Sequence, residues 1–514
     1  MRAVKWMAPA LLALLAAACL ALVYLKQGVE PSLFFNSDAS YLPALYYDLF
    51  ERGGHLRAWF LTPAPYFFPD WPLYFGMRWL TGSAYHALAG VMAAQALLMW
   101  GLAALVLRHF AANANALAAS ALATVAVCLA AVNGLFPYTY VMLASYHFGT
   151  FLVLLAALAL MLPLLRQTAP PPRGRLAGLV LLTALTVLSD RLYLMQFALP
   201  ALALLALMRG RVPQWRPLAL ALLAGCVAGV LLYKWKLLVP NSVSMPWHLS
   251  LRSAGANLQA LAAIGEAVGR RYPLLALYCA LYYALLLSLA PGTLLNRGWR
   301  LAETGAAWMN MLALAGTAGL LLVMTVSKAP PTERYLIPAF LLPVLLGAAL
   351  AWSLAAQLRG GARRRNDVGG VTLLLGGALL AWPLMQVVLR SGPIQQDYYP
   401  PQIACADRIF AQYDVHHGYA GYWDASWLAM NSRRKPVVAV TEGELLEQHW
   451  ITTGENFRPR YDFALVAMDA ADRERPSEAL VVRHNGAPEA IAQCGTLKML
   501  IYPRGSLKPL APIR

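Results

Sequence analysis

A carboxylate, Asp38, stands in the segment Phe34-Phe35-Asn36-Ser37-Asp38-Ala39-Ser40-Tyr41-Leu42-Pro43, soon after the first long apolar run of the chain. An acid held just beyond a membrane surface can take the proton from an attacking hydroxyl. Asp38 or Ser40 can equally cap the helix whose pattern follows, with Pro43 tolerated in its first turn. Both readings stand on the residues alone. A second constellation, Ser327-Lys328-Ala329-Pro330-Pro331-Thr332-Glu333-Arg334-Tyr335, brings two cations beside another apolar run. Guanidinium or ammonium stabilises negative charge that develops on a leaving phosphate, and Arg can grip it with two parallel bonds. The plain alternatives are that Lys328 and Arg334 snorkel to the membrane surface, or that Glu333 neutralises Arg334.

Asp190 and Arg191 interrupt an apolar stretch where ionisable groups are costly unless paired or solvated. Either they pair with neighbouring helices, or they face the same aqueous cleft as Asp38, with Asp190 holding a substrate hydroxyl. His147, after Tyr138, Tyr140 and Tyr146, and His55 in the first loop are lone histidines, a type more often structural than catalytic. Asp70 lies in Phe67-Phe68-Pro69-Asp70-Trp71-Pro72-Leu73-Tyr74-Phe75, whose aromatics suit an interfacial belt or a cleft wall.

Lipid is the solvent that must position these residues. The 514 residues are 60% hydrophobic and 13% charged, which a soluble domain with a polar surface cannot accommodate. A span needs roughly 20 apolar residues. Such runs occur near 6–25, 85–107, 114–133, 147–165, 217–238, 273–291, 305–326, 336–356 and 369–389. Leu176 to Met208 is too long for one span and is broken by Ser189, Asp190 and Arg191, so it reads as two short spans with a tight turn. The total is about eleven.

Starting from a cytoplasmic N-terminus, the inner loops carry Arg2 and Lys5; Arg108; Arg166, Arg173 and Arg175; Arg209, Arg211 and Arg216; Arg297 and Arg300; and Arg359, Arg363, Arg364 and Arg365. These cations keep to one side only if 176–208 is split, because a single helix there would turn the last cluster outward. The net charge of +17 therefore belongs to short loops beside an anionic leaflet, and nucleic acid is not an expected partner. Leu15 to Cys19 loosely resembles a lipoprotein cleavage box, but the run from Met7 to Leu25 is long enough to remain as an anchor.

The long first outer loop, 27–85, is expected to carry interfacial helices, one with Tyr41, Leu42, Leu45, Tyr46, Leu49 and Phe50 on one face. Residues 1–390 form the transmembrane domain and 391–514 a small outer α/β domain. In that domain Pro436–Val440, Phe463–Met468 and Leu497–Tyr502 read as strands, and Gln402–Tyr413 and Ala487–Gln493 as helices. Gly418-Tyr419-Ala420-Gly421-Tyr422-Trp423-Asp424 reads as an aromatic turn that packs the core or touches a glycan. Cys405 and Cys494 are the only plausible disulfide partners, or else two unpaired thiols. No metal-ligand spacing, phosphate loop or esterase elbow occurs.

A first span followed by a large outer loop with an early Asp, interfacial helices, about eleven spans and a soluble C-terminal outer domain resembles the GT-C superfamily of membrane glycosyltransferases. The motifs behind the likeness are Asp38, the Ser189-Asp190 turn and Arg334-Tyr335 before a span. The resemblance implies an enzyme of a bacterial inner membrane with a periplasmic C-terminal domain. It would move a sugar, with inversion, from a polyprenyl-phosphate or polyprenyl-diphosphate carrier to a glycan, lipid or protein acceptor. Asp38 would be the base, and Arg334, Lys328, Tyr335, Asp190, Arg191, His147, His55 and Asp70 would contact substrate. Some relatives use a divalent cation, whose ligands this sequence does not show. A non-enzymatic flippase, transporter or polymerase partner that binds lipid-linked glycan is the competing expectation, although spans almost free of ionisable residues fit a transporter poorly.

Overall fold

The computed structural model describes residues 2–235, 248–358, 368–469, 472 and 474–509, with the side chains of 2–5 and 368–369 excepted. Lys236 and the cluster Arg359, Arg363, Arg364 and Arg365 lie outside the described residues. The chain divides into two compact units.

The first unit is helical. Its long helices are α1 (Arg2–Leu25), followed after the short α2 (Tyr41–Tyr46) of the other unit and α3 (Asp70–Thr81) by α4 (Ala84–Leu107), α5 (Asn113–Val132) and α6 (Phe148–Met161). Then come α7 (Arg173–Ser189), α8 (Leu199–Leu207), α9 (Trp215–Lys234), α10 (Ala254–Arg271), α11 (Pro273–Leu295), α12 (Thr304–Thr325), α13 (Ile337–Leu358) and α14 (Val368–Arg390). Among the described residues eight helices are long and apolar enough to cross a membrane: α1, α4, α5, α9, α11, α12, α13 and α14. The apolar helical stretches of α6 and Leu194–Leu207 are shorter.

The stretch read as two short spans does break where the polar residues fall. α7 stops at Ser189, Asp190 takes extended backbone, and helix resumes at Leu194. α7 packs on α9, where Gly225 and Gly229 form a small-residue stripe of the spacing that lets two membrane helices approach closely. A Cβ on Gly225 would stand 2.6 Å from Thr183 Cβ, and one on Gly229 2.7 Å from the Ala184 carbonyl.

The short loops gather at one end of this unit. Arg211 donates to the carbonyls of Thr293, Leu301 and Ala302, at 2.8–2.9 Å. Arg166 pairs with Glu303, whose carboxylate also caps α12 by accepting from Gly305 and Ala306 backbone N–H groups. The amphipathic helix α10, which the sequence pattern did not announce, docks by Asn257 Nδ2 onto the terminal carbonyls of α12.

The second unit joins Glu30–Pro65 to Gln395–Arg514, so the first loop divides: its opening half folds with the C-terminal residues and Tyr66 onward with the helices. The join is covalently remote but tightly bonded. Strand β1 (Trp59–Phe60) pairs with β4 (Thr452–Thr453), Phe35 stacks on Tyr398 at 3.6 Å, and Arg52 donates to Asn456 Oδ1 at 2.8 Å. In α2 the apolar face Tyr41, Leu42 and Leu45 is buried, while Phe50 remains exposed.

A five-stranded mixed sheet organises the rest, in the order β3 (Val437–Val440), β2 (His417–Ala420), β5 (Phe463–Val466), β7 (Leu497–Ile501), β6 (Ala490–Cys494). β3, β2 and β5 run parallel, and β5, β7 and β6 antiparallel. Helices α15 (Pro401–Tyr413) and α16 (Tyr422–Asn431) pack one face and α17 (Glu478–Asn485) the other, giving two separate apolar layers. Three strands and the helix at 402–413 match the expected pattern. The helix expected at Ala487–Gln493 is instead the edge strand β6, because Ala490 to Cys494 alternates between outward and inward residues and turns back through Gly495-Thr496 onto β7. The expected turn at Gly418–Asp424 is the end of β2 running into α16. Cys405 of α15 and Cys494 of β6 form a disulfide with their Cα atoms 5.6 Å apart.

Candidate functional site

At the other end of the helical unit from the Arg211 loops, polar side chains from five segments converge. His147 immediately precedes α6, and its Nδ1 lies 2.7 Å from Asp190 Oδ2. The same carboxylate accepts from Thr150 Oγ1 at 2.6 Å and, through its other oxygen, from the Leu192 backbone N–H at 3.0 Å. On the far side of the imidazole, Nε2 lies 3.2 Å from the Tyr66 hydroxyl. An imidazole carrying its proton on Nδ1 donates to Asp190 and leaves Nε2 to accept from Tyr66, so the carboxylate selects the tautomer.

Local backbone makes this convergence possible at a cost. Tyr66, Ser145 and His147 have φ of 59°, 60° and 69°, in the left-handed region that side chains with a Cβ rarely adopt. Each costs on the order of 1–3 kcal/mol, and such strain persists only where the surroundings over-determine it. Here the surroundings are hydrogen bonds: Asp70 Oδ1 accepts from Ser145 N–H at 3.0 Å, Ser189 Oγ accepts from Phe68 N–H at 2.9 Å, and the Ser189 carbonyl accepts from Tyr66 N–H. Gly149 allows α6 to begin against Asp70, since a Cβ there would stand 2.2 Å from Asp70 Oδ2.

The two acids are driven apart. Burial pushes the Asp190 carboxyl up, but His147 beside it and the hydrogen bonds from His147, Thr150 and Leu192 outweigh that and hold it below the usual carboxylate range. Asp70 is buried with less compensation. Burial, reinforced by the nearby Asp190 charge and opposed by the Ser145 N–H bond, lifts its carboxyl to about 6. One acid kept charged beside another poised near neutrality is an arrangement suited to proton transfer. Burial, reinforced by the Asp190 charge, also pushes the Tyr66 hydroxyl well above its ordinary value, and the Arg334 guanidinium lies over the Tyr335 ring at 5.9 Å. The Tyr335 ring meets the His147 ring edge-on with centroids 5.4 Å apart, and the Tyr335 carbonyl accepts from Gln196 Nε2.

Five residues singled out from the sequence thus come together: Asp70, His147, Asp190, Arg334 and Tyr335. Three others do not join them. The Arg191 guanidinium stacks over the Tyr233 ring at 4.3 Å. Lys328 is exposed, its backbone N–H bonded to the His248 carbonyl. His55 is exposed in the second unit, beside the short helical turn Leu56–Ala58. Tyr66, Thr150 and Ser189 complete the cluster; Ser189 is singled out in the sequence with Asp190 as the break in an apolar run, and Thr150 carries a signal in standing three residues after His147, on the same face of the first helical turn.

Asp38 belongs to the second unit and is half-buried. Ser40 occupies the N-cap of α2 without a side-chain capping bond. The Asp38 carboxylate accepts a short hydrogen bond from the Tyr422 hydroxyl, and Ser37 Oγ donates to the Tyr422 carbonyl at 2.6 Å. Tyr422 opens α16, so the C-terminal domain grips the Asp38 turn by both ends of one tyrosine. Among the described residues no group of three or more His, Cys, Asp or Glu is arranged to hold a metal ion. No protein-family profile matches the chain, and no curated protein is significantly similar to it.

Proposed function

We propose that the protein is an inverting glycosyltransferase of GT-C-like architecture with about eleven spans, which moves a sugar from a polyprenyl-phosphate carrier to an acceptor at the outer face of a bacterial inner membrane. One observation carries the reading: the early carboxylate of the first loop is oriented by the Tyr422 hydroxyl instead of serving only as chain punctuation. A general base needs that kind of fixed, hydrogen-bonded placement. Asp38 takes the proton from the acceptor hydroxyl as its oxygen attacks the anomeric carbon. The bond from that carbon to the lipid phosphate breaks, and the phosphate departs with the electron pair. Arg334 stabilises that departing charge. The charge asymmetry of the loops supports a cytoplasmic N-terminus, and the Cys405–Cys494 disulfide fits a second unit in an oxidising compartment.

The test is release of free polyprenyl phosphate by the purified full-length protein given a panel of polyprenyl-phosphate sugars. Wild type should release it from at least one donor. Asp38→Asn should remain folded, by gel filtration and thermal melt, and lose about 10²-fold or more in rate. Release undiminished in that variant removes Asp38 from the chemistry, and no release from any donor removes the transferase reading.

A further inference from the structure

The tryptophan that follows Tyr422, the residue whose hydroxyl bonds the Asp38 carboxylate, stands outside the buried core of its domain. Trp423 follows Tyr422 at the start of α16 and is 45% exposed, whereas Trp427 one turn later is buried in the domain core. Exposure of so large an aromatic is a loss that burial would remove. Its two neighbours in sequence are nevertheless each held by hydrogen bonds. Tyr422 on its N-terminal side is bonded to Asp38 and Ser37, with the Tyr422 and Trp423 rings 5.0 Å apart. Asp424 on its C-terminal side is buried and takes two parallel hydrogen bonds from Arg475, at 2.6 and 3.0 Å. Behind the turn, a Cβ on Gly421 would stand 2.4 Å from the Glu474 carbonyl, so the 474–475 backbone presses directly against it.

We infer that Trp423 is the platform on which an acceptor carbohydrate stacks, with Asp38 bonded to the tyrosine beside it. The apolar C–H face of a pyranose covers an indole, while its hydroxyls need planar charged partners around the rim. Asp38 bonds Tyr422 and Arg475 bonds Asp424, so charged groups hold both residues that flank Trp423, and Arg475 is further tied to Asp472 at 3.3 Å. The Asp38 carboxylate would repel anionic headgroups and lose hydration against acyl chains, which argues against a membrane anchor. The inference rests on the transferase reading for the chemistry at Asp38 and narrows its acceptor to a glycan or a glycan-bearing lipid.

Binding is measured without any lipid donor, so it fails or succeeds separately from transfer. Full-length protein labelled with 5-fluorotryptophan has 15 tryptophans, and the ¹⁹F resonance missing in Trp423→Phe identifies Trp423. Titration with methyl glycosides of hexoses and N-acetylhexosamines, and with short oligosaccharides of the same sugars, should shift that resonance. Trp423→Ala should weaken the binding by about tenfold, measured by saturation-transfer NMR, while Trp423→Tyr keeps most of it. Asp38→Asn should bind the same sugar while failing to transfer. A Trp423 resonance that moves with anionic phospholipid vesicles and with none of the sugars overturns the inference, as does sugar binding that Trp423→Ala leaves unchanged.

Discussion

Replacing Asp70 by Asn should stabilise the protein at neutral pH and should do so progressively less as the solution is made acid. The carboxyl moves from an ordinary 3.8 when the chain is unfolded to about 6 in the folded protein, with burial as the main cause. Between those two values the unfolded chain has released a proton that the folded protein still holds, so stability falls as pH rises. The favourable state is therefore the acid one, complete below the unfolded value and lost by the time pH passes about 6. At 1.36 kcal/mol for each pH unit, the cost at neutral pH comes to about 3 kcal/mol. Asn carries no charge to desolvate, and its Oδ1 can keep the bond from Ser145 N–H. The assay is thermal unfolding of full-length wild type and Asp70→Asn in the same detergent from pH 4 to 8, read as the difference between the two. Groups common to both proteins largely cancel in that difference. The variant should melt higher at pH 7.5 and converge on wild type near pH 4. A difference that stays constant across the range, or grows towards acid, refutes the argument that a buried acid with too little compensation sits at the start of α3.

The same contact predicts the effect of filling it. Gly149→Ala gains helix propensity yet forces a Cβ to within 2.2 Å of Asp70 Oδ2 and 2.8 Å of Pro69 Cδ, so it should destabilise by about 1–3 kcal/mol. A melting temperature at or above wild type would show that α6 does not begin against Asp70. In the second unit, the disulfide joins residues 89 apart, and its removal by Cys405→Ser with Cys494→Ser should cost about 2–5 kcal/mol. Iodoacetamide applied to denatured, unreduced protein should label Cys19, Cys128, Cys226 and Cys279 but neither partner of the bridge.

The helical framework was legible because lipid leaves few alternatives: an uninterrupted apolar run of span length must satisfy its backbone internally, and helix does so. The break at Ser189-Asp190 was legible for the converse reason, since a charged pair inside such a run is too costly to be incidental. The soluble residues followed weaker rules. Ala487–Gln493 has the composition of a helix former, but pairing with Leu497–Ile501 along a whole strand outweighs that small preference. Nothing in residues 30–65 announced that they would pair with residues 452–453, because a two-residue strand carries no period to read.

Within the site, ionisable residues were visible one at a time and their grouping was not. Asp70, His147, Asp190 and Arg334 each stand out against apolar surroundings, where any charge demands a partner. Besides the His147–Asp190 contact itself, their partners are hydroxyls and backbone amides: Tyr66, Thr150 and the N–H groups of Ser145 and Leu192. Hydroxyl residues are ordinary at the rim of a membrane protein, and an amide has no side chain to notice. The strained turns at Tyr66, Ser145 and His147 leave no sequence mark either, since glycine is absent from all three. A Tyr and a His standing where glycine would relax the backbone point to side chains held for the contacts they make. Tyr66 and His147 are the two that face each other across the 3.2 Å contact, so the strain and the hydrogen-bonded chain to Asp190 have one cause.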